Sequence, residues 1–512
     1  MLELSDNCGD LPPDGEFLRI FEWDDADCGT VKTIPVLEDV FGPFQMPDVY
    51  VRKEVLHVLS IFKSTYKDVF KSGEIVNRFV LMGSPGVGKS SLLALLSLYL
   101  AVKHQRTIIW RLDQPSEGLP PFVRVFYRGK YWEWKNMCDE DYGHLLIVIQ
   151  HSNPWLFLDG PIQDYINSHP QICKFSVLAP DGHYALPASG FTERCLLPFW
   201  QKHDLRALGK HSKLTDGEIE TQYFESGGNA RLFFHRQARQ IVYDHVVARA
   251  PESDSSVVQM YGVDDRDDEH AYVDEARWTR DVTSRYAVQC MAKHLPPDYV
   301  ERHVTLIKTA RTSNGVLRGE KLFAIRFFDT VFHRRVLRIE CREYDPQSGD
   351  HTRHSVAGAR AMTSMTWNDP NNHSRTNRLV KYEIGQGSTQ ADCDEMVSRW
   401  AAKPSKLDCW IPQSGLPGIP DAIVKWTPPE TINPEFVMIY RCTASEVYGF
   451  DTSVVCRVGK LFKESHLGVR VLIVVLDEEK MEEFRFKPDA FITSDEMSDI
   501  PVCVGYTRDI DI

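Results

Sequence analysis

The sequence lacks the cysteine patterns that would mark a disulfide framework or a zinc site. Its twelve cysteines are scattered over 512 residues. None of them forms a C-x-x-C pair, and no cysteines and histidines cluster at the spacing of zinc ligands. Both kinds of site are therefore disfavoured, and we expect the protein to work in a reducing environment.

Long apolar runs are also missing. No stretch reaches the roughly 18 uninterrupted apolar residues that a membrane-spanning helix needs. The first ten residues, MLELSDNCGD, contain neither the basic nor the apolar segment of a signal peptide. The expectation is an intracellular-type soluble protein with no membrane partner.

The charge balance has no basic excess. Lys and Arg number 59 against 72 Asp and Glu, which gives a formal net charge of −13. This argues against a protein that coats nucleic acid but permits a local basic surface. With 43% hydrophobic and 26% charged residues, a chain of this length is expected to form two or three globular domains.

The patterning predicts an α/β chain in two parts. We place an N-terminal extension at 1–44, an α/β domain at 45–250, an acidic linker at 251–275 and a second α+β domain at 276–512. Short apolar runs that alternate with helical patterns indicate a mostly parallel sheet covered by helices. The predicted strands of the first domain are FVLM, TIIWRL, VRVFY, LLIVI, WLFLDG and FSVLA. Those of the second are KLFAIRFFDTVF, RVLRIECREY, DAIVKW, EFVMIYRCT, RVLIVVL and VCVGY, after a helix over ARWTRDVTSRYAVQCMAKHL.

The clearest motif is a glycine-rich loop between an apolar run and a leucine-rich helix. It reads Gly83-Ser84-Pro85-Gly86-Val87-Gly88-Lys89-Ser90, a full match to G-x-x-x-x-G-K-[ST], and Ser91 follows. Its glycines let successive N–H groups point at phosphate oxygens, and the helix that follows adds its positive dipole end. Lys89 is then expected to reach the β/γ-phosphates and the Ser90 hydroxyl to ligate Mg²⁺. The alternative is a Gly-rich turn without a ligand.

A phosphate loop of this kind needs an acidic residue at the end of a neighbouring strand to hold Mg²⁺. The run NPWLFLDG supplies Asp159; the alternative is an ordinary strand-end aspartate. Gly160 follows where a glutamate often serves as base, so hydrolysis is less supported than binding. Asp113 is a weaker acidic candidate. Ser176 in FSVLAP is either a γ-phosphate sensor or a buried hydroxyl.

A second glycine motif, SGGNAR, precedes the helical pattern LFFHRQARQIVYDHV. Glycines at a corner between helices would place Arg231 in the first turn of the second helix. From there its guanidinium could stabilise charge on a γ-phosphate in the transition state. The alternative is a surface arginine after a turn.

The ordered set of segments resembles a known family. These segments are YVRKEV, GSPGVGKSS, WLFLDG, FSVLAPDGH, LLPFWQKHDL and YFESGGNARLFF. Over about residues 45–245 they resemble the NTPase module shared by the Crinkler effectors of oomycetes and fungi and the retrotransposon-hot-spot proteins of trypanosomes.

The resemblance implies an AAA-related or STAND-like P-loop ATPase that uses ATP and Mg²⁺, followed by a restriction-endonuclease-like domain. By motif, Gly83 to Ser91 form its phosphate loop, Asp159 holds the metal and Arg231 is the arginine of the GG-x-x-R corner. Family members commonly have DG at the strand end, which suits Gly160. The resemblance also implies secretion into a host cell and partners in the host nucleus, although the ubiquitin-like header of full Crinklers is not visible.

In the second domain, PDAIV and EFVMIYRCT resemble the core of a restriction-endonuclease-like fold. An active enzyme of that fold gathers Mg²⁺ with an Asp on the first strand and Asp/Glu-x-Lys on the second. Asp421 corresponds to the Asp on the first strand. The second strand has Arg441-Cys442-Thr443 in place of Asp/Glu-x-Lys, and an arginine repels a cation. Three nearby acids could replace the missing metal ligand only if the fold places them beside Asp421: Glu395, Glu430 and Glu435.

We therefore expect a nuclease-like domain that binds DNA and whose cleavage is weak or lost; the alternative is a helix-flanked sheet in which Asp421 caps a turn. The residues predicted to contact phosphates are Arg334, Arg335, Arg338 and Lys381.

Three functions remain open from the sequence: an NTPase-nuclease effector, a nucleotide-dependent switch that only binds a partner, and an inactive relic of a mobile element. Oligomeric state is not readable from the residues. The nucleotide base is not readable either, because a phosphate loop grips phosphates only, so ATP rests on the resemblance.

Overall fold

The apolar runs form two eight-stranded sheets. The computed structural model describes residues 5–42, 46–72, 77–112, 121–160, 175–180, 191–249, 259–282, 284–296, 324–325, 328–329, 337–344, 363–367, 382–385, 390–402, 409–412, 420–426, 435–441, 447–448, 452–463, 468–475, 478–486 and 500–506.

The chain divides into two units, and each is interrupted in sequence. The first contains Met1–Ser212, Gly228–Phe234 and Asp254–Asp281, and the second contains Lys213–Gly227, His235–Ser253 and Val282–Ile512. These divisions differ from the boundaries predicted from composition. The N-terminal residues belong to the first unit, and so does most of the acidic stretch.

In chain order the described strands are β1 (Asn7–Asp10), β2 (Val31–Thr33), β3 (Asp48–Tyr50), β4 (Asn77–Met82), β5 (Ile108–Leu112), β6 (Phe122–Tyr127), β7 (Lys130–Lys135), β8 (Trp155–Asp159), β9 (Phe175–Ala179), β10 (Phe191–Leu196), β11 (Gln259–Val263), β12 (Trp278–Val282), β13 (Leu337–Tyr344), β14 (Thr363–Trp367), β15 (Tyr382–Gly385), β16 (Cys409–Pro412), β17 (Ala422–Trp426), β18 (Glu435–Arg441), β19 (Val447–Tyr448), β20 (Gly468–Val474), β21 (Arg485–Phe486) and β22 (Val502–Tyr506). The described α-helices are α1 (Val36–Phe41), α2 (Lys53–Ser72), α3 (Lys89–Lys103), α4 (Asp139–Ile149), α5 (Lys202–His211), α6 (Asp216–Ser226), α7 (Ala230–Phe233), α8 (Ala238–Asp244), α9 (Arg285–His294), α10 (Gln390–Ala402), α11 (Thr452–Lys463) and α12 (Glu478–Glu483). None of these helices is long and apolar enough to cross a bilayer.

The first sheet has the strand order β1-β7-β6-β5-β8-β9-β4-β10. Strands β5, β8, β9, β4 and β10 are mutually parallel, whereas β6, β7 and β1 extend one edge in antiparallel pairing. A mixed α/β fold with a large, mostly parallel sheet was predicted and is confirmed. The parallel strands align their carboxyl ends along one edge, where loops are available for binding.

Helix α3 follows β4 and is apolar on nearly all sides. Ten consecutive residues, from Leu92 to Ala101, are buried, as expected for a helix that is covered by protein around most of its circumference. The helix begins directly after Gly88, whose backbone is left-handed. The sequence motif therefore lies between the predicted strand and the predicted helix.

One predicted strand of the first unit is wrong: LLIVI forms the end of helix α4. The Cys138 side chain accepts a hydrogen bond from a first-turn amide at 3.4 Å and starts the helix. Leu145 and Leu146 are buried, whereas Ile147 and Val148 are exposed. A short apolar run does not by itself distinguish a strand from one turn of a helix. Strands β7 and β10, which contain no continuous apolar run, were not predicted.

The acidic stretch predicted as a linker is folded from Gln259 onward; residues 251–258 lie outside the described ranges. Strands β11 and β12 form a two-stranded sheet. Between them, Arg277 bonds to the carboxylates of Asp264 and Asp268, and Tyr272 is fully buried. Asp264 and Asp268 are thus paired with a cation, which composition alone does not reveal.

The predicted helix over residues 276–295 is also partly wrong, because its first half forms β12. Ser284 Oγ accepts a hydrogen bond from the Ala287 amide at 3.0 Å, so α9 begins only at Arg285. Of the strand predicted at KLFAIRFFDTVF, the described residues 324–325 and 328–329 are helical.

The second sheet has the order β14-β13-β22-β20-β18-β17-β16-β15. Strands β16, β17 and β18 form an antiparallel meander, and α11 then leads to β20, which pairs with β18 in parallel. One face of this sheet packs with α10 and α11 around the buried side chains of Trp400, Trp410, Phe436 and Phe462. The other five predicted strands of this domain are present.

Candidate functional site

The phosphate-loop motif is tightly curled and closely packed. Gly83 and Gly86 have φ values of 147° and 76°, a region that other residues rarely adopt. A side chain at Gly83 would meet the Leu197 carbonyl at 2.5 Å, and one at Gly86 would overlap the Asn229 amide. Two neighbouring segments thus require glycine at these positions, independently of any ligand.

Lys89 is the first residue of α3 and is buried. Its Nζ donates hydrogen bonds to the carbonyls of Gly83 at 2.7 Å and Ser84 at 3.1 Å. The ammonium therefore lies against the curled backbone rather than in solvent. An ammonium in this position adds positive charge to the amides of the loop and the helix terminus.

Ser90 and Asp159 are brought together from positions far apart in sequence. Asp159 is the last residue of β8, and its Oδ1 accepts a hydrogen bond from Ser90 Oγ at 3.0 Å. Asp159 is buried, with 5% of its surface exposed. A hydroxyl and a carboxylate beside a phosphate-binding loop are oxygen donors of the kind that Mg²⁺ prefers.

The residue after this carboxylate, Gly160, has φ 63°, and its amide donates a hydrogen bond to the Ala179 carbonyl at 3.0 Å.

The parallel register places Ala179 of β9 at the level of Asp159 and Ser176 beside Leu156. Ser176 is thus three residues, about 10 Å, back along the sheet. The sensor interpretation of Ser176 stays a prediction, which its position near the start of β9 does not favour. Asp113 lies outside the described residues.

Arg231 lies at a corner that touches the phosphate loop. The Ala230 amide donates to the Gly86 carbonyl at 3.1 Å, and Asn229 Oδ1 accepts from the Leu232 amide at 3.0 Å and caps α7. Arg231 itself is exposed. The long helix predicted after it is wrong: α7 ends at Phe233, and α8 begins at Ala238. The backbone contact brings the corner to the loop, and the role of Arg231 stays a prediction.

Two residues that contact the back of the loop, Arg52 and Trp200, were not predicted to have a role. Arg52 is fully buried and donates from Nη2 to the Val87 carbonyl at 2.8 Å and from Nη1 to the Pro198 carbonyl at 2.8 Å. Trp200 Nε1 donates to the same Val87 carbonyl at 3.1 Å. In the sequence, Arg52 is distinguished only by directly following the apolar residues VYV. No local pattern links it to the loop.

The charge of Arg52 is balanced within the first unit. Glu54 lies 3.8 Å from Arg52 and is bonded to Arg266. Burial opposes ionisation of Glu54, but the two arginines hold the pKa of that carboxyl below its usual value. Asp267 is paired with Lys53. The segment after β11 thus supplies charges to the start of α2.

The same segment reaches the phosphate loop directly. The Tyr261 amide of β11 donates to Ser84 Oγ at 2.9 Å, and Ser84 is buried. The Tyr261 carbonyl accepts from the Phe199 amide at 3.0 Å. Pro85 in the loop and Ser91 in the first turn of α3 complete the motif and are partly exposed.

In the second unit, Asp421 directly precedes β17, and its amide donates to the Ile439 carbonyl at 2.8 Å. Antiparallel pairing sets Trp426, at the far end of β17, opposite Glu435. Trp426 is five residues after Asp421, so Glu435 lies about 17 Å along the strands from Asp421. Glu395 is 68% exposed and bonds to Arg399 at 2.6 Å. Among the described residues, no three His, Cys, Asp or Glu side chains gather as metal ligands.

The predicted basic surface is only partly described. Arg338 is on β13, and strands β22, β20 and β18 lie between it and β17. Arg441 ends β18. The other predicted residues, Glu430, Cys442, Thr443, Arg334, Arg335 and Lys381, lie outside the described ranges.

Comparisons with known proteins leave the family undetermined. No protein-family model matches the chain, and no curated protein matches it. Among solved structures, the chain aligns with a protein described as a DNA replication initiation factor at 11% identity, over 54% of this chain and 94% of that one. The TM-score of this alignment is 0.22, which is too low to support a conclusion on fold or function.

Proposed function

We propose that the first unit binds ATP with Mg²⁺ between the loop Gly83–Ser91 and Asp159, and hydrolyses it. The observation that carries the proposal is the 3.0 Å hydrogen bond from Ser90 Oγ to Asp159 Oδ1, next to the buried amine of Lys89. The donor set fits the ligand, since hydroxyl and carboxylate oxygens suit a hard cation, while amides and an ammonium suit phosphates.

Each residue then has a distinct task. The loop amides bind phosphate oxygens, and Lys89 exchanges its bonds to the Gly83 and Ser84 carbonyls for bonds to the β/γ-phosphates. Ser90 and Asp159 hold the metal, directly or through water. When bound, Mg²⁺ supplies charge neutralisation between the phosphate oxygens. ATP, rather than another nucleotide, is proposed from the family resemblance.

Hydrolysis requires a further cation on the γ-phosphate side and a means of orienting water. Arg231 is proposed for the first task, because the corner Asn229–Ala230 is bonded to Gly86 of the loop. The alternative is a nucleotide-dependent switch that binds ATP without turnover. That alternative is favoured by Gly160, which leaves no carboxylate directly after Asp159.

The test is binding of a fluorescent ATP analogue and release of phosphate, each with and without Mg²⁺ and DNA. Lys89→Ala is expected to lose at least about a hundredfold in affinity, because two hydrogen bonds from a charged donor contribute about 1.5–3 kcal/mol each. Lys103→Ala is the matched control, since Lys103 is an exposed lysine in the last turn of the same helix and should bind normally.

Two outcomes decide between the alternatives. Unchanged affinity of Lys89→Ala would overturn nucleotide binding at the loop. Binding that depends on Lys89 without any phosphate release, with or without DNA, would support the switch and overturn hydrolysis.

For the second unit we propose a nuclease-like domain that binds DNA and has lost efficient cleavage. The meander β16-β17-β18, followed by α11 and a parallel β20, supports this, as does Asp421 at the entry to β17. The distance of Glu435 along the strands and the arginine at position 441 argue against a metal site.

The wider role follows the family resemblance alone. As a Crinkler or retrotransposon-hot-spot type protein, the chain would act as an effector in a host nucleus. Expression of a tagged chain in host cells, with imaging of its nuclear fraction, tests this role. A chain confined to the cytoplasm would contradict it.

A further inference from the structure

The orientation of the loop amides is fixed from outside the loop. A trans peptide directs the carbonyl of one residue and the N–H of the next to opposite sides of the chain. An anion cradle needs several successive N–H groups on its inner side. Whatever holds the loop carbonyls on the outer side therefore determines which amides face a phosphate.

The Val87 carbonyl is held on the outer side by two donors. Arg52 Nη2 donates to it at 2.8 Å and Trp200 Nε1 at 3.1 Å. These bonds direct the following N–H, that of Gly88, to the opposite side. One residue earlier, the Gly86 carbonyl is bonded to the Ala230 amide at 3.1 Å, which directs the Val87 N–H in the same way.

Arg52 is itself fixed on several sides. It is fully buried, bonds to the Pro198 carbonyl at 2.8 Å and lies over the Trp200 ring at 4.8 Å. Its charge faces Glu54 at 3.8 Å. An arginine held by a carbonyl, an aromatic ring and a carboxylate has few alternative rotamers, so the bond to Val87 is preorganised.

We propose that Arg52 is a positioning residue of the phosphate loop, which acts through the Val87 carbonyl to keep the Gly88 amide directed at the phosphates. Trp200 shares this role from the other donor position. Neither side chain touches the nucleotide. The inference rests on the proposed nucleotide function and adds how the cradle is maintained.

The test compares binding of pyrophosphate and ADP by Arg52→Gln and Trp200→Phe. Arg52→Gln should weaken both ligands by the same factor, about tenfold, which corresponds to one charge-assisted hydrogen bond. Trp200→Phe removes the indole N–H and leaves a smaller aromatic ring in its place, so about a threefold loss is expected. The rate at saturating ATP should change less than the affinity.

Arg78→Gln is the matched control. Arg78 is also a buried arginine of the first unit, but it is the second residue of β4 and lies toward the end of the strand that is far from the loop. Its loss should lower the melting temperature and leave affinity unchanged. If Arg52→Gln is too unstable to purify, the affinity of Trp200→Phe for pyrophosphate still tests the hydrogen bonding at the Val87 carbonyl. The hydrogen-exchange rate of the Gly88 amide, measured with and without pyrophosphate, tests whether that amide faces the ligand.

The outcomes separate the two proposals. Normal pyrophosphate affinity in both Arg52→Gln and Trp200→Phe, with only a lower melting temperature, would overturn the positioning role and leave the proposed function intact. A wild-type protein that binds neither pyrophosphate nor ATP would overturn both.

Discussion

The two sheets have the same number of strands, yet among the described residues the polar groups predicted to form a site come together in the first sheet and not in the second. In the first, parallel strands place the loop after β4 and Asp159 of β8 at one edge, and Ser90 bonds to Asp159. In the second, the antiparallel meander sets Asp421 at one end of the β17–β18 pair and Glu435 at the other. Strand direction thus decides whether strand-end residues converge.

The sheets also differ in how they accommodate buried charge. Behind the phosphate loop, Arg52 is neutralised by Glu54 and bonded to backbone carbonyls. In the second sheet, Arg470 lies 3.4 Å from the thiol of Cys503 on the neighbouring strand. The first arrangement fixes a loop, whereas the second perturbs a cysteine within a strand.

The largest effect is expected from Asp159→Ala, which removes the carboxylate that closes the first site. Turnover should fall about a thousandfold, because a metal contributes several kcal/mol to stabilising phosphoryl transfer. The affinity for ATP should also lose its dependence on Mg²⁺. Phosphate release and nucleotide titrations with and without EDTA measure both. The control is Asp39→Ala, since Asp39 lies on the exposed face of α1. If Asp159→Ala keeps normal turnover and normal Mg²⁺ dependence, the first sheet gathers no metal site.

Arg231→Ala is expected to lower kcat by about ten- to a hundredfold, the contribution of a hydrogen bond from a charged donor. The Kd for ATP should change little, because charge on the γ-phosphoryl oxygens redistributes only as the bond breaks. Steady-state kinetics with separate binding titrations distinguish the two. Arg236→Ala, another exposed arginine, is the control. Equal losses in kcat and affinity would make Arg231 a ground-state ligand, and no loss would make it a surface residue.

For the second sheet, in contrast to the first, we expect no metal-dependent activity. We expect DNA binding that weakens steeply with salt, and no Mg²⁺-dependent nicking of supercoiled plasmid by the wild-type chain. Asp421→Ala should change the DNA affinity by less than about twofold, since a carboxylate makes no favourable phosphate contact. Nicking that disappears in Asp421→Ala would show that this sheet also assembles a metal site. Binding without salt dependence would exclude the nucleic-acid role.

The smallest effect concerns Cys503. A hydrogen bond from the Cys341 thiol lowers the pKa of Cys503, and the charge of Arg470 adds to this effect. Burial acts in the opposite direction, and the resulting pKa is about 7. Its ionisation therefore adds stability that is complete above the ordinary thiol pKa and is lost as the pH falls through 7. Cys341→Ala should raise the pKa of Cys503. The ultraviolet absorbance of the thiolate, titrated across the ordinary thiol pKa of about 8.5, checks this. An identical curve in Cys341→Ala would contradict it, and Cys195→Ala is the control.

The sequence identified the elements whose signals are local. The turn glycines, Lys89 and Ser90 lie within eight residues, and the apolar runs on both sides predicted β4 and α3. Asp159 was found because a strand that ends in an acid is a local pattern as well. LLIVI was misassigned for the same reason, because five apolar residues contain too little periodicity to distinguish α4 from a strand.

By itself, the sequence determined that a glycine-rich loop joins a strand to a helix, that a mixed α/β sheet surrounds it and that an acidic candidate ends a neighbouring strand. Only the tertiary structure decided that Ser90 meets Asp159 across 69 residues, and that Arg52 and Trp200 meet Val87 across 35 and 113 residues. It also decided that Ser176 lies three residues back along the sheet from the level of Asp159, and that Glu435 lies at the far end of the β17–β18 pair from Asp421. The physical reason is that strand order and register, which long-range packing sets, determine which strand ends become neighbours.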